Sequence, residues 1–287
     1  MKLISLAGLA PAPLTRCGGQ ACWRITLRLL QWLVLALYAM PVLSANTLTE
    51  DEAAQGWQLL FDGTTFDGWR NYGAAPGDPV NGWEIEQGTL KMVRDVSEFR
   101  YALNFINPFQ KHPLLDLMTE RQFENFELSI DWKISAGGNS GIFYLLPRDN
   151  NDLPWRLGLE MQVLDNDGHA DGKTHTHRAG DLYDLVASNE DASRPVGEWN
   201  TARIRVVGSH IQHWLNGVKV VDIHRCGEMW DELVAQSKFA KRAGYGQAER
   251  GHILLQDHGD YVWYRNIKLR PLQKSPTEHC PKSDKSQ

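Results

Sequence analysis

The sequence predicts an all-β fold, a sandwich or barrel of antiparallel strands. Three observations support this: short runs with strand periodicity recur from Trp57 onward, turn residues separate them regularly, and almost no stretch has helical periodicity. An α/β fold would instead alternate strands with helices. The chain has 287 residues, with no internal repeat and no Pro- or Ser-rich linker between Trp57 and Pro271. We therefore expect one domain.

The first predicted strands lie in the N-terminal half of this region. They include "WEIEQGTLKMV", "NFELSIDWKIS" and "SGIFYLL". The second of these alternates strictly between apolar and polar residues, which is typical of a half-buried strand. Its apolar face comprises Phe126, Leu128, Ile130, Trp132 and Ile134.

The C-terminal half continues with a predicted meander. The run "TARIRVVGSHIQHWLNGVKVVDIH" predicts three strands joined at Gly208-Ser209 and at Asn216-Gly217, and an Asn-Gly pair is a strong hairpin signal. A helical stretch from Met229 to Phe239 is expected to be an insertion between strands. The runs "GHILLQDHG" and "VWYRNIKLRPL" complete the set.

The first 45 residues have the pattern of a signal peptide. Basic residues without any acidic one precede an apolar run that ends in the small residues Ser44 and Ala45. An uncleaved membrane anchor is the alternative, but the run contains Gln31 and Pro41 and is shorter than the roughly 20 residues that a spanning helix needs. We expect export to the periplasm or the exterior, with cleavage near Ala45.

Behind this leader we expect a short segment (46–55), a single β domain (56–272) and a polar tail (273–287). Without the leader, 26 basic residues stand against 35 acidic ones, a net charge of −9. This charge argues against nucleic acid as a partner. In an oxidising compartment Cys226 and Cys280 can pair, or Cys280 can stay free in the tail.

The stretch "LGLEMQVLDNDGHADG" supplies the first candidate site. Glu160 and Gln162 share one face of a strand, whereas Asp165 joins them only through a bulge or a turn. A retaining glycosidase needs two carboxyls roughly 5 Å apart. The alternative is an exposed polar face followed by an acidic turn. The opposite, apolar face is expected to fill the core with Leu159, Met161 and Val163.

The loop "HADGKTHTHRAGDLYDL" supplies a second candidate, with His169, Asp171, His175 and His177. Histidines and carboxylates together can bind a divalent metal or relay protons. Their spacing matches no fixed metal motif, and a solvated polar loop is the alternative. The sequence therefore leaves cofactors unknown, with a divalent metal as one possibility.

The third candidate lies in "GHILLQDHGDYVWYRNIKL". Asp257 falls on the buried line of its strand, and Arg265 interrupts the apolar line of the next strand. A cation on an apolar face needs a partner. We therefore predict an Arg265–Asp257 pair, either purely structural or holding His258 toward a groove.

Amide and aromatic side chains supply candidate sugar-binding groups. The chain has 11 Trp, 8 Tyr and 9 Phe, and such flat rings both fill sandwich cores and stack on sugar faces. Asn139 and Ser140 follow a glycine-rich turn, where they either reach a sugar or form a bulge.

Seven stretches, in order across nearly all of Trp57 to Pro271, resemble the 3-keto-disaccharide hydrolase family, also called 3-keto-glucoside lyase/hydratases. They are "WQLLFDGTTFDGWR", "GWEIEQGTLKMV", "FELSIDWKISAGGNSGIFY", "GLEMQVLDNDGHADG", "DLYDL", "EWNTARIRVVGSHIQHWLNGVKVVDI" and "GHILLQDHGDYVWYRNIKLRPL". The resemblance implies a concanavalin-like jelly-roll β-sandwich of two curved antiparallel sheets, with a sugar groove on the concave face.

The resemblance also implies a reaction on glycosides that are oxidised to a ketone at carbon 3. The ketone acidifies the hydrogen on carbon 2, so that a base can remove it. The resulting enolate expels the substituent on carbon 1, and addition of water completes a net hydrolysis. Such chemistry needs a base, an enolate-stabilising group and an acid for the leaving group.

The resemblance suggests residues for these roles. Glu160 or His169 would be the base, Arg265 and His258 would stabilise the enolate, and Asp165 would protonate or orient. A divalent ion could replace Arg265 as the electrophile. The candidates for substrate binding are Asn139, Gln162, Tyr183, Gln256 and Asp257.

Two other functions remain open. A non-catalytic lectin-like module would bind glycans through Trp, Tyr and Asn, and an ordinary glycosidase would use Glu160 with Asp165. A lectin needs few ionisable groups in its groove, whereas an enzyme needs a base with a shifted pKa. The expected partner is in each case a small carbohydrate.

Overall fold

The computed structural model describes residues 45–93, 115–147 and 153–273, all within the unit Ala45–Gln287. These residues form two antiparallel sheets of eight and five strands. The predicted all-β sandwich is therefore confirmed. Apart from Ala45 and Gln273, the predicted leader and tail lie outside the described residues.

The larger sheet contains β1 (Gln58–Leu59), β3 (Trp83–Glu86), β4 (Thr89–Met92), β6 (Phe126–Ile134), β9 (Asn200–Val207), β10 (His210–Leu215), β11 (Val218–His224) and β13 (Val262–Pro271). The smaller sheet contains β2 (Trp69–Asn71), β5 (Leu117–Thr119), β7 (Asn139–Leu146), β8 (Leu159–Leu164) and β12 (His252–Leu255). The larger sheet has the order β11-β10-β9-β6-β13-β4-β3, with β1 also paired to β13, and the smaller has the order β2-β5-β12-β7-β8.

Two tight turns follow from the sequence. The predicted hairpin between β10 and β11 is confirmed, with Asn216 at φ 52° and Gly217 at φ 87°, the left-handed backbone that a two-residue hairpin loop of this kind requires. A second hairpin divides "WEIEQGTLKMV" into β3 and β4, with Gln87 and Gly88 in the same conformation.

Helices are short. Helix α1 (Glu50–Ala54) begins at a capping box formed by Thr49 and Glu52. Helix α2 (Gly227–Gln236) is the predicted insertion between β11 and β12, and it ends earlier than predicted because Ser237 has extended backbone. Among the described residues, no helix is long and apolar enough to cross a membrane.

Cys226 lies immediately before α2 and is disulfide-bonded. Cys280 lies outside the described residues, so the pairing of these two cysteines stays a prediction.

The core lies between the two sheets and follows strand alternation. On β8, the predicted inward residues Leu159, Met161 and Val163 all join the main apolar cluster. The outer face of the smaller sheet carries a separate apolar cluster, which includes Phe143 and Leu254. The smaller sheet therefore has two covered faces, and its outer face is where polar side chains of β7 and β8 gather.

A β-bulge in β13 overturns one prediction about this strand. The register against β6 shifts between Arg265 and Lys268, and Asn266 has a left-handed φ of 51°. Val262 and Tyr264 point inward before the bulge, and Ile267 and Leu269 point inward after it. Arg265 therefore does not interrupt an apolar line, because the extra residue inverts the alternation that the prediction assumed to be continuous.

Candidate active site

A cavity of about 270 Å³ opens on the outer face of the smaller sheet, on the side away from the larger one. It lies over β7 and β8 and is closed at its sides by the loops after β8 and β12 and by the segment after α2. The lining residues are Asn139, Trp155, Glu160, Gln162, Asp171, Tyr183, Lys238, Gln256 and His258.

Strand pairing places the central polar groups of this cavity. In the β7–β8 ladder, Phe143 lies opposite Glu160 and Gly141 lies opposite Gln162. Directly opposed residues project on the same side of a sheet, and alternate residues of one strand do so as well. Glu160 and Gln162 therefore point into the cavity, as the sequence predicted.

Glu160 lies at the bottom of the cavity with 5% of its surface exposed. A Cβ atom on Gly141 would come within 2.1 Å of Glu160 Oε1, so the carboxyl occupies space that only glycine leaves open. Burial raises the pKa of Glu160 to about 8, opposed by the positive charge of Lys238 and reinforced by the negative charges of Asp116 and Asp171.

Amide side chains line the cavity together with this carboxyl. In one orientation of the Gln162 amide, its nitrogen donates to Glu160 Oε1 at 3.1 Å and to the Ser140 carbonyl at 3.0 Å. The Oε1 of Gln256 is buried and has no hydrogen-bond partner among the described residues. A buried acceptor of this kind is suited to a hydroxyl of a bound ligand.

Lys238 contributes the positive charge of the cavity, and its position was not predicted from the sequence. It lies two residues beyond the end of α2, and its Nζ lies 4.0 Å from the ring centre of Tyr183 and 5.1 Å from that of Trp155. Burial lowers the pKa of Lys238, and the negative charges of Glu160 and Asp184 oppose this. A lysine with a lowered pKa beside a glutamate with a raised pKa is typical of a functional site.

The predicted binding residue Tyr183 also lines the cavity. Its ring stacks on that of His177 at 4.3 Å. Asp184 connects His177 with the segment that carries Lys238. Its Oδ1 lies 3.0 Å from His177 Nε2, and its Oδ2 accepts a hydrogen bond from the Lys238 backbone at 2.7 Å. Asp184 has a left-handed φ of 60°, which favours glycine, and such strain is concentrated at functional sites.

The two histidines predicted to act in catalysis lie near each other. His258 lines the cavity, and its ring lies 6.2 Å from that of His169 in an edge-to-face arrangement. Burial lowers the pKa of His258, opposed by Asp260 and reinforced by His169. His169 is not among the lining residues, and its Nδ1 accepts a hydrogen bond from the Asp171 backbone at 3.1 Å.

Asp165 does not lie at the cavity. Its carboxylate accepts hydrogen bonds from the backbone N–H groups of Gly137, Asp167 and Gly168 at 2.7, 3.2 and 3.0 Å. These bonds hold the loop that follows β8 against the turn that precedes β7. The geometry therefore favours a structural role over the predicted acid.

Asp257, predicted to bind substrate and to pair with Arg265, is not among the residues that line the cavity and does not pair with Arg265. Its Oδ1 accepts a hydrogen bond from Gly259, and its backbone donates to Asp116 Oδ1 at 2.8 Å. Burial raises the pKa of Asp116 to about 8, and the charge of Asp257 adds to this.

Arg265 lies on the larger sheet and is not among the residues that line the cavity. Its Nε lies 3.6 Å from Asp131 Oδ2, and its guanidinium lies 4.0 Å from the ring centre of Trp199. The predicted Arg265–Asp257 pair is therefore wrong, and the predicted contact of Arg265 with the enolate stays a prediction that this cavity lining does not support. The cause is the bulge in β13, which turns Arg265 outward.

The histidine-rich loop does not gather into one site. Asp171 reaches the main cavity, His177 pairs with Asp184, and His175 lines a second cavity of about 170 Å³. Within the described part of the chain, no group of three or more His, Cys, Asp or Glu side chains is arranged to hold a metal ion.

Sequence reasoning missed Trp155 and Lys238 for the same reason. Trp155 lies in a single turn of 3-10 helix, Pro154–Arg156, and Lys238 follows the insertion helix. Neither belongs to a strand, so no periodicity directs either side chain toward the cavity. The strained Asp184 of "DLYDL" also gives no sign in the sequence.

Comparison with known proteins gave consistent matches. A family model described as the 3-keto-alpha-glucoside-1,2-lyase-like domain matches residues 56–270. A 3-keto-disaccharide hydrolase from Bacteroides thetaiotaomicron is 36% identical over 243 residues, which cover 76% of this chain and 79% of the relative.

Two solved structures from Parabacteroides distasonis ATCC 8503, both described provisionally as glycosyl hydrolases, are also similar. The first has a TM-score of 0.70 and 28% identity, covering 80% of this chain and 100% of that one. The second has a TM-score of 0.52 and 24% identity, covering 75% and 99%, and supports the fold alone.

Proposed function

The chain belongs to the 3-keto-alpha-glucoside-1,2-lyase-like family and is a carbohydrate-active enzyme, and from this premise we propose that it cleaves 3-keto-glycosides by elimination across carbons 1 and 2 followed by hydration. The substrate class is supported by the relative from Bacteroides thetaiotaomicron, a 3-keto-disaccharide hydrolase. The net reaction is hydrolysis of the glycosidic bond.

The observation that carries this proposal is the buried Glu160 at the bottom of the cavity, close enough to Lys238 for their charges to interact. A general base works best when its pKa lies near the working pH, and burial raises the pKa of Glu160 to about 8. Glu160 is therefore suited to remove the acidified hydrogen from carbon 2.

The developing enolate needs positive charge or hydrogen-bond donors. Lys238 and His258 both line the cavity and take this role, which replaces the earlier expectation for Arg265. The amide of Gln162 holds the carboxyl of Glu160 in place. The proton that Glu160 takes up is then available to the departing oxygen on carbon 1, so the mechanism requires no second acid at Asp165.

The function is tested by incubating the purified protein with 3-keto-disaccharides and with their unoxidised parents. We expect cleavage of the ketones alone, because the parents have no acidic hydrogen on carbon 2. Equal cleavage of the parents would indicate an ordinary glycosidase, and binding without turnover of either would indicate a lectin-like module.

We also propose that the protein is exported to the periplasm or the exterior. The proposal rests on the basic, apolar and small-residue pattern of residues 1–45. Sequencing the N-terminus of the protein from fractionated cells tests it: a mature chain beginning near Asn46 is expected, and an intact Met1 in the cytoplasmic fraction would contradict it.

A further inference from the structure

We propose that Lys238 is a covalent catalyst whose amine condenses with the carbon 3 ketone of the substrate to form a Schiff base. The inference rests on the proposed 3-keto substrate and goes beyond it, because enolate chemistry requires only a positive charge near the ketone oxygen. A ketone and a primary amine in one cavity can react with each other.

The backbone around Lys238 is held firmly. Its N–H donates to Asp184 Oδ2 at 2.7 Å, and the next residue, Phe239, is buried and stacks on Tyr245 at a ring distance of 3.9 Å. The base of the side chain is thus fixed on both sides, although Lys238 itself is an exposed residue. The amine is therefore aimed at the cavity by the fold.

The end of the side chain lies among aromatic rings. Nζ is 4.0 Å from the ring centre of Tyr183, 5.1 Å from that of Trp155 and 5.3 Å from that of Phe239. Partial burial of the amine among these rings lowers the pKa of Lys238 and increases the share of neutral amine, the form that attacks a carbonyl. Desolvation of this kind activates lysines that form Schiff bases.

Glu160 is the proton donor and acceptor that the reaction also needs. The charge interaction between Glu160 and Lys238 acts on both groups, so the protonation states of the carboxyl and the amine are coupled. Protonated Glu160 with neutral Lys238 has the same net charge as the ion pair. The cavity can therefore hold a nucleophilic amine without adding charge.

The steps balance as follows. The neutral amine of Lys238 adds to carbon 3, and protonated Glu160 gives its proton to the carbon 3 oxygen. That oxygen leaves as water, which produces the protonated imine and leaves Glu160 ionised. Glu160 then takes the hydrogen from carbon 2, and the released electron pair forms an enamine that expels the substituent from carbon 1. Water adds to carbon 1, carbon 2 is reprotonated, and a second water hydrolyses the imine to the 3-keto sugar and free lysine.

A Schiff base is distinguished from a purely electrostatic role by reductive trapping. The intact protein is incubated with a 3-keto-disaccharide and cyanoborohydride, then digested and analysed by mass spectrometry. We expect the peptide containing Lys238 to gain the mass of the 3-keto sugar, with or without its leaving group, less one oxygen atom. No adduct, or an adduct on another lysine, would overturn the proposal.

Three variants provide the kinetic test. Lys238→Arg keeps a positive charge but has no nucleophilic amine, Lys238→Met removes both, and Lys241→Met is the matched control at an exposed lysine of the same segment. We expect both Lys238 variants to lose about a hundredfold or more in kcat, the effect typical of losing one group that acts on the developing charge. The control should keep its activity.

The outcomes separate this inference from the proposed function. If the wild type cleaves 3-keto substrates, leaves no adduct and tolerates Lys238→Arg, the Schiff base is wrong and the elimination mechanism remains. If the wild type cleaves no 3-keto substrate at all, the proposed function itself fails. Thermal unfolding of Lys238→Met checks that a loss of activity is not a loss of fold.

Discussion

The carboxyl of Glu160 depends on a neighbour that has no side chain. Gly141 of β7 lies next to this carboxyl, and a methyl group on Gly141 would come within 2.1 Å of Glu160 Oε1. We expect Gly141→Ala to displace the carboxyl and to lower kcat about tenfold or more, since small misplacements of catalytic groups reduce rates strongly. Steady-state kinetics on a 3-keto-disaccharide measures this.

Gly158→Ala is the matched control, because a methyl group there would meet the movable end of Leu146 at 3.2 Å instead of a functional group. Full activity of both alanine variants would show that the space beside Glu160 is not needed for catalysis.

The pKa of Glu160 predicts how activity depends on pH. The base must be ionised to take a proton, and burial raises its pKa to about 8. We therefore expect kcat/KM to fall as the pH drops below about 8. The variant Glu160→Gln should keep the fold and lose this activity. A flat profile between pH 6 and 8 in the wild type would argue against Glu160 as the base.

At the scale of elements, β13 shows how one residue redirects a strand. The bulge at Asn266 turns Arg265 outward, where it is 31% exposed beside Asp131, and turns Ile267 into the core. We expect Arg265→Met to change the free energy of unfolding by no more than about 1 kcal/mol. Ile267→Ala should cost about 2–5 kcal/mol.

Urea denaturation of both variants measures these free energies. A loss of several kcal/mol in Arg265→Met, with little effect of Ile267→Ala, would mean that the alternation of the strand is unbroken in solution.

The strands could be predicted from the sequence, whereas the places of side chains that lie outside the strands could not. Alternation placed Glu160 and Gln162 on the face opposite Met161, and the Asn216-Gly217 turn fixed the hairpin register. Lys238 belongs to the stretch predicted as a helix but lies beyond the end of α2, so tertiary packing determines its position. The bulge at Asn266 was missed because an asparagine can occupy either an ordinary or a left-handed position.

At the scale of the whole molecule, buried carboxyls make stability depend on pH. Glu160 and Asp116 have pKa values raised to about 8, so the folded protein keeps protons that the unfolded chain releases above about pH 5. Their contribution to stability is complete at low pH and is lost as the pH rises through 8. Two histidines with lowered pKa values, the buried His213 and the half-buried His258, act in the opposite direction below their ordinary value of 6.5.

We therefore expect the free energy of unfolding to fall between pH 6.5 and 8, and Asp116→Asn to reduce this fall. Denaturation of the wild type and the variant across this range measures the difference. An identical pH dependence in both proteins would mean that Asp116 is already ionised in the folded state.

The central claim is that cleavage begins with removal of the hydrogen from carbon 2. The most direct measurement compares the rate of the chemical step for a 3-keto-disaccharide carrying hydrogen or deuterium at that carbon. We predict that deuterium slows the step and that a 2-hydroxy-3-keto-glycal accumulates when water addition is impaired. Equal rates for the two substrates in single-turnover experiments, with no such glycal, would contradict the mechanism and return Glu160 to the role of an ordinary glycosidase carboxylate.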